Sequence, residues 1–200
     1  MYDLVIIGAG WAGTNAAIKA KSLCLKTAII EENAAGGTCL NLGCIPTKTL
    51  IQSAKVFTLC NKASIFGINV ANLDFDFVRI QERKNKIVQQ LRFGLQSMLK
   101  GVDYINAREE IISPNKIKAN DKIIETKFIL IATGSKTVEL QKFKFDNNRF
   151  VSSDDMLNLE TVPKSLLIIG GGVIGCEFAS LFSSLGTNVT IVEKLFSVAA

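Results

Sequence analysis

The chain has 200 residues, 48% of them hydrophobic, with 23 Lys and Arg against 18 Asp and Glu and a formal charge of +5. That is enough apolar material for one large core or two small ones, and basic residues spread along the whole chain argue for a solvated surface and against nucleic-acid binding. No apolar run nears the roughly 18 residues of a membrane span, and Met1-Tyr2-Asp3 puts an acid where a signal peptide carries Lys or Arg, so a cytoplasmic globular protein with no membrane contact is expected.

Residues 3–7 form a short apolar run followed by Gly8-Ala9-Gly10-Trp11-Ala12-Gly13, and an alanine-rich helix is expected from Ala12 to about Cys24. A second strand, 27–30, ends at Glu31, 18 residues after Gly13. Strand, glycine turn, helix, strand and acid in that order make a dinucleotide site. The helix N-terminus offers N–H groups and a positive dipole end to a pyrophosphate, and the terminal carboxylate can accept bonds from ribose hydroxyls. The segment Gly36 to Lys48, GGTCLNLGCIPTK, holds Cys39 and Cys44 with four residues between them. In a regular helix their Cα atoms would lie about 8 to 9 Å apart, beyond the roughly 7 Å limit for a disulfide. A bridge would therefore require a distorted turn, which Gly43 tolerates, with Pro46 starting the regular helix. So small a loop gains little stability from a bridge, which favours redox use over bracing.

Helices are expected over 47–61 and 74–99, the second capped by Asp74 and stopped at Gly101, with its apolar residues packed on the domain. Strands over 102–105, 110–112, 116–119 and 122–125 suggest a small antiparallel excursion. An apolar strand, 128–132, then leads into Thr133-Gly134-Ser135, and the polar stretch 141–148 reads as a linker. Beyond it the opening pattern returns: a strand over 166–169, the turn Gly170-Gly171-Gly172-Val173-Ile174-Gly175, a helix over 176–185, and a strand over 189–192 ending at Glu193, again 18 residues from the last glycine. Two copies imply two dinucleotides. A carboxylate at Glu193 would repel a 2′-phosphate on whichever nucleotide lies there, an inference that Lys194 weakens slightly. Cys24, Cys60 and Cys176 read as small buried hydrophobes. With no histidine and no pair of close cysteine pairs, no metal site is expected.

The wording Gly-Gly-Thr-Cys-x-Asn-x-Gly-Cys-Ile-Pro-x-Lys resembles the redox-active disulfide of the flavin-dependent pyridine nucleotide-disulfide oxidoreductases, and LNLGCIPTKTL is most similar to the branch that oxidises dihydrolipoyl groups. FILIATGS resembles the family's ATG segment, which approaches the flavin nucleotide through its backbone. A proline common shortly after that segment in the family is replaced here by Lys136-Thr137-Val138, implying a changed linker path. The resemblance implies an α/β fold: a Rossmann-like FAD domain over 1–148 with a small antiparallel β insertion, then the first part of a Rossmann-like NAD domain over 149–200. It implies that Gly8, Gly10, Gly13 and Glu31 hold FAD, with Gly37, Thr38, Lys48, Ala107, Thr133, Gly134 and Ser135 around it. Gly170, Gly171, Gly172, Val173, Ile174, Gly175, Glu177 and Glu193 would hold NAD. By the same resemblance Cys39 exchanges with the substrate, Cys44 faces the flavin, and Lys48 lies near the flavin N5 paired with Glu177.

The partners so implied are a lipoyl domain of a 2-oxoacid dehydrogenase or glycine cleavage complex and, for the full-length protein, a second copy in a homodimer. Family members continue well beyond the length seen here and supply an acid-base histidine from their interface domain, so a fragment inactive by itself is expected. A glutathione or mercuric reductase-like enzyme, and a nucleotide-binding module without turnover, are the alternatives.

Overall fold

Val5, Ile6 and Ile7 are consecutive apolar residues, the pattern of a parallel strand covered on both faces, and in the computed structural model all three are buried. The structure describes residues 1–195, 197 and 198. In chain order the elements are β1 (Tyr2–Ile7), α1 (Trp11–Ser22), β2 (Thr27–Glu31), α2 (Gly37–Asn41), α3 (Cys44–Asn61) and α4 (Phe77–Met98). Then come β3 (Asp103–Asn106), β4 (Glu109–Ser113), β5 (Lys116–Ala119), β6 (Lys122–Ile131), α5 (Ser153–Met156), β7 (Ser165–Ile169), α6 (Val173–Ser184) and β8 (Asn188–Val192). They form two compact units, one of Met1–Gly43 with Val88–Val138 and one of Cys44–Ile87 with Glu139–Ala200.

The first unit is built on a six-stranded sheet ordered β3-β2-β1-β6-β5-β4. β1 runs parallel to both β2 and β6, and β2 parallel to β3. Side chains alternate across the strands, so Ile6 and Ile29 turn to one face and pack with Ala9, Ala17 and Leu99. Val5, Ile7, Ala28 and Ile30 turn to the other, where Ile117 and Ala119 of β5 and Ala107 cover them. The antiparallel insertion thus forms one wall of the core.

Two expectations need correction. The strand after α4 belongs to the parallel sheet and not to the antiparallel excursion, because α4 serves as the crossover that returns β3 beside β2. The expected strands 122–125 and 128–132 are a single ten-residue strand, β6, antiparallel to β5 in its first half and parallel to β1 in its second.

The second unit packs α3, the start of α4, α5 and α6 around Leu50, Ala54, Phe77, Met156, Leu157, Phe178, Leu181 and Phe182. β7 and β8 form a parallel pair. The cap of α4 is Asp76, whose carboxylate accepts the Arg79 N–H at 3.1 Å, while the expected cap, Asp74, accepts only the adjacent Phe75 N–H. Ser152 and Asp155 form a capping box at α5. Cys60 and Cys176 are half-buried, but Cys24 is exposed with a φ of 57°, since it turns the chain just past α1. Among the described residues no helix is long and apolar enough to cross a membrane, and no cluster of His, Cys, Asp or Glu could hold a metal.

Candidate functional site: two glycine turns and a cysteine segment

β1 must pass into α1 within three residues, and the glycines permit it. Gly8 takes a φ of 99° and hands its N–H to Ile30 O at 2.8 Å. A Cβ on Gly13 would lie 1.9 Å from Gly8 O, so helix and strand cross at a distance that no side chain allows. The N-cap of α1 is Gly10, which provides no side-chain bond, and the first turn holds no acid. The open N–H groups there suit a phosphate, with the helix dipole in support.

Glu31 closes the turn. Its Oε2 accepts the Ala9 N–H at 2.7 Å and its Oε1 the Asn33 N–H at 2.9 Å. Each oxygen keeps capacity for a ribose hydroxyl, while the Ala9 N–H is already committed and leaves phosphate binding to its neighbours. Ala107 is buried and donates its N–H to Glu31 O at 3.1 Å. Ala132 and Thr133 follow β6 to the same turn, with Gly134 and Ser135 next in sequence: a Cβ on Gly8 would meet Ala132 O at 2.3 Å and Thr133 Cα at 3.1 Å.

The cysteine segment leans on this turn through backbone alone. Gly36 donates its N–H to Ala9 O at 2.8 Å, and a Cβ on Gly37 would meet Gly10 Cα at 2.6 Å. Both glycines have positive φ, 111° and 58°. From there α2 carries Thr38 and Cys39 and stops at Asn41, so the chain breaks its helical course at Leu42 and Gly43 before α3 opens at Cys44. Pro46 is the third residue of α3, not its first. Cys39 is half-buried and belongs to the first unit; Cys44 is exposed and belongs to the second.

The second glycine turn, in the second unit, repeats the first. Gly170 has a φ of 109° and donates to Val192 O at 2.8 Å, and a Cβ on Gly175 would lie 2.2 Å from Gly170 O. Gly172 is the N-cap of α6, again without a side-chain bond, and Val173, Ile174 and Gly175 form the first turn. Glu193 Oε2 accepts the Gly171 N–H at 2.6 Å and Oε1 the Leu195 N–H at 2.8 Å. These bonds, that from Leu195 first and that from Gly171 next, hold the Glu193 carboxyl below its ordinary pKa. Glu177, on α6, is ion-paired with Lys48 of α3.

Several contributors lie outside the motifs. Asn106 donates to Glu31 O at 3.0 Å and so steadies the end of β2. Burial first, and Glu31 second, raise the Tyr104 pKa, and burial ahead of Glu32 and Glu31 raises that of Glu109. Arg92 Nε donates to Asn41 Oδ1 at 2.6 Å. Only the fold brings these residues to the turns, and no local pattern announces them.

The model of the pyridine nucleotide-disulphide oxidoreductase family matches residues 2–199. The chain belongs to that family. Members of this family use FAD and NAD(H), and the two uncapped helix starts, each with a backbone approach too close for a Cβ, fit two such nucleotides. Similar proteins include a dihydrolipoyl dehydrogenase of Acholeplasma laidlawii, 42% identical over 97% of this chain and 60% of that protein. Another, from Chlamydia pneumoniae, is 43% identical over 100% of this chain and 44% of that protein. Among solved structures, the HOCl-induced flavoprotein disulfide reductase RclA of Escherichia coli, as its Cu(II) complex, superposes with a TM-score of 0.83 at 34% identity, covering 98% of this chain and 43% of that one. The chain therefore spans about half the length of the relatives it matches.

Proposed function

We propose that the protein carrying this chain is a dihydrolipoyl dehydrogenase, oxidising protein-bound dihydrolipoyl dithiols through Cys39 and Cys44 and passing the electrons by way of FAD to NAD. The observation that carries the reading is the Gly36 N–H to Ala9 O bond, which ties the cysteine segment to the first nucleotide turn. The dihydrolipoyl dehydrogenases of about 40% identity support the substrate, and the Glu193 carboxylate supports NAD over NADP.

In this reading residues 1–148 serve FAD and 149–200 begin the NAD site. Gly8, Gly10, Gly13, Glu31, Gly37, Thr38, Lys48, Ala107 and Thr133 to Ser135 hold the first nucleotide; Gly170 to Gly175, Glu177 and Glu193 hold the second. Bound FAD supplies an acceptor for two electrons from a dithiol and a hydride donor to nicotinamide. A substrate thiolate attacks Cys39 Sγ of the disulfide and releases the Cys44 thiolate. The second substrate thiolate then attacks its partner sulfur, closes the lipoyl ring and releases Cys39 as thiolate. Two electrons have reached the cysteine pair and two protons have left the substrate. Lys48, held by Glu177, supplies positive charge one turn beyond Cys44. The partners are a lipoyl domain of a 2-oxoacid dehydrogenase or glycine cleavage complex and a second copy of the chain.

Steady-state turnover of dihydrolipoamide with NAD, set against glutathione disulfide with NADPH on the complete protein, tests the proposal. Faster turnover of the first pair is expected; preference for the second would replace this reading with a glutathione reductase-like one. The 200 residues alone are expected to bind flavin weakly and not to turn over lipoamide.

A further inference from the structure

A five-residue helix is far too short to hold itself together, and α2, which carries Cys39, has neither a side-chain N-cap nor a charge in its first or last turn. Its start is tied through Gly36 to Ala9 O. Its end is tied through one side chain, Asn41, whose Nδ2 donates to Ala34 O at 3.1 Å and Ala35 O at 3.2 Å. The Oδ1 of the same amide accepts from Arg92 Nε at 2.6 Å, across 51 residues of chain. The amide thereby joins three pieces of the first unit: the loop before the cysteine, the helix that carries it, and the C-terminal half of α4. Arg92 also fixes which way round the amide sits, because only the oxygen can face an N–H donor.

We infer that Arg92 is a positioning residue for Cys39, acting through Asn41 to hold α2 in the one place from which Cys39 can pair and exchange. The inference rests on the redox reading of Cys39 and Cys44 given above. A disulfide needs its sulfurs at fixed distance and dihedral, so an anchored helix favours the closed pair over two separate thiols. Without Arg92 the amide loses its charged partner, α2 samples more positions, and the equilibrium shifts toward the dithiol. The guanidinium fork is rigid and presents Nε sideways to the amide, a geometry that a lysine ammonium can replace only as a single donor.

The test is a redox titration of the cysteine pair against a glutathione or dithiothreitol buffer in the complete flavoprotein, wild type, Arg92→Met and Arg92→Lys, with bound FAD and melting temperature measured on each. The expected result for Arg92→Met is an equilibrium constant for disulfide formation about tenfold lower, a potential about 30 mV higher for this two-electron couple, with FAD retained. Arg92→Lys is expected to recover most of that shift. A wild-type protein with no dithiol/disulfide couple would remove the redox reading itself. A wild-type couple that Arg92→Met leaves unchanged would overturn the role of Arg92 alone, as would a shift that follows loss of FAD or of melting temperature in both variants equally.

Discussion

Gly13 and Gly94 are both helical glycines, and replacing each by alanine should move stability in opposite directions. At Gly13 the new Cβ would lie 1.9 Å from Gly8 O and 3.0 Å from Gly8 C. Ordinary contact begins near 3.4 Å, so α1 and β1 would have to part by about 1.5 Å at the crossing. Overpacking costs about 1 to 3 kcal/mol and more where nothing can yield; here the obstacle is a backbone carbonyl in a turn already at positive φ. Against that, alanine gains up to about 1 kcal/mol of helix propensity, leaving a net loss of roughly 2 kcal/mol or more. Gly94 sits exposed in α4 with nothing within 4 Å of a new Cβ, so only the propensity gain of about 0.5 to 1 kcal/mol remains. For a protein of this size about 1 kcal/mol moves the melting temperature by roughly 2 to 4 °C. Thermal melts followed by circular dichroism, with flavin content per chain, read both effects. Gly13→Ala should melt lower by about 4 °C or more and lose FAD, and Gly94→Ala should melt slightly higher with FAD intact. A Gly13→Ala protein as stable and as yellow as wild type would refute the steric argument for the turn.

Gly8→Ala should cost more than Gly170→Ala in urea titrations, because both strain a positive φ, worth about 1 to 2 kcal/mol, but only the first meets Ala132 O at 2.3 Å. Lys84 is 4% exposed and donates to Leu157 O at 2.6 Å, and burial holds its pKa below the ordinary value of 10.5. Between the lowered value and 10.5 the unfolded chain binds the proton that the folded chain gives up, so stability should rise with pH across that window. In Lys84→Met that rise should be absent. The Glu193 carboxyl is held low in the folded chain, so the stabilisation from its two backbone bonds should be complete at neutral pH and lost as pH falls through the carboxylate range. Glu193→Gln should remove this acid dependence. It should also weaken NADH binding, and it should speed deuterium uptake at Gly171 even without nucleotide, a change that ribose recognition alone would not produce.

Both glycine turns were legible because their logic is local: strand, glycines, helix and acid fall within some thirty residues, and sterics force the order. The acids took a second role that spacing does not announce. Glu31 and Glu193 each bind the N–H of a turn residue 22 positions earlier, a contact that exists only once strand and turn are side by side. Pairing direction was less legible. A strand of four residues such as β3 has no mark of parallel or antiparallel pairing, and the 22-residue α4 before it is what decides the matter. The amide of Asn41 could be read as part of the cysteine motif, but its partner Arg92 stands among ordinary surface charges of α4. Lys84 stands among the charges of α4 in sequence, yet it is buried against a carbonyl 73 residues away.

The two turns, alike in themselves, differ in what surrounds them. At the first, Gly8 is closed by Ala132 and Thr133, and Gly10 lies against Gly37, so two later segments reach a turn formed at the very start of the chain. At the second, a Cβ on Gly171 would meet Val198 Cγ1 at 2.3 Å, while one on Gly170 or Gly172 would meet nothing within 4 Å. The same glycine turn with its acid can therefore recur in one chain, and the segments delivered to it decide what lies beside each copy. In the first unit β6 delivers a backbone segment to one side and Gly36 and Gly37 deliver a cysteine helix to the other. That delivery depends on Gly8 and Gly37, since a side chain at either would press its neighbour off the turn.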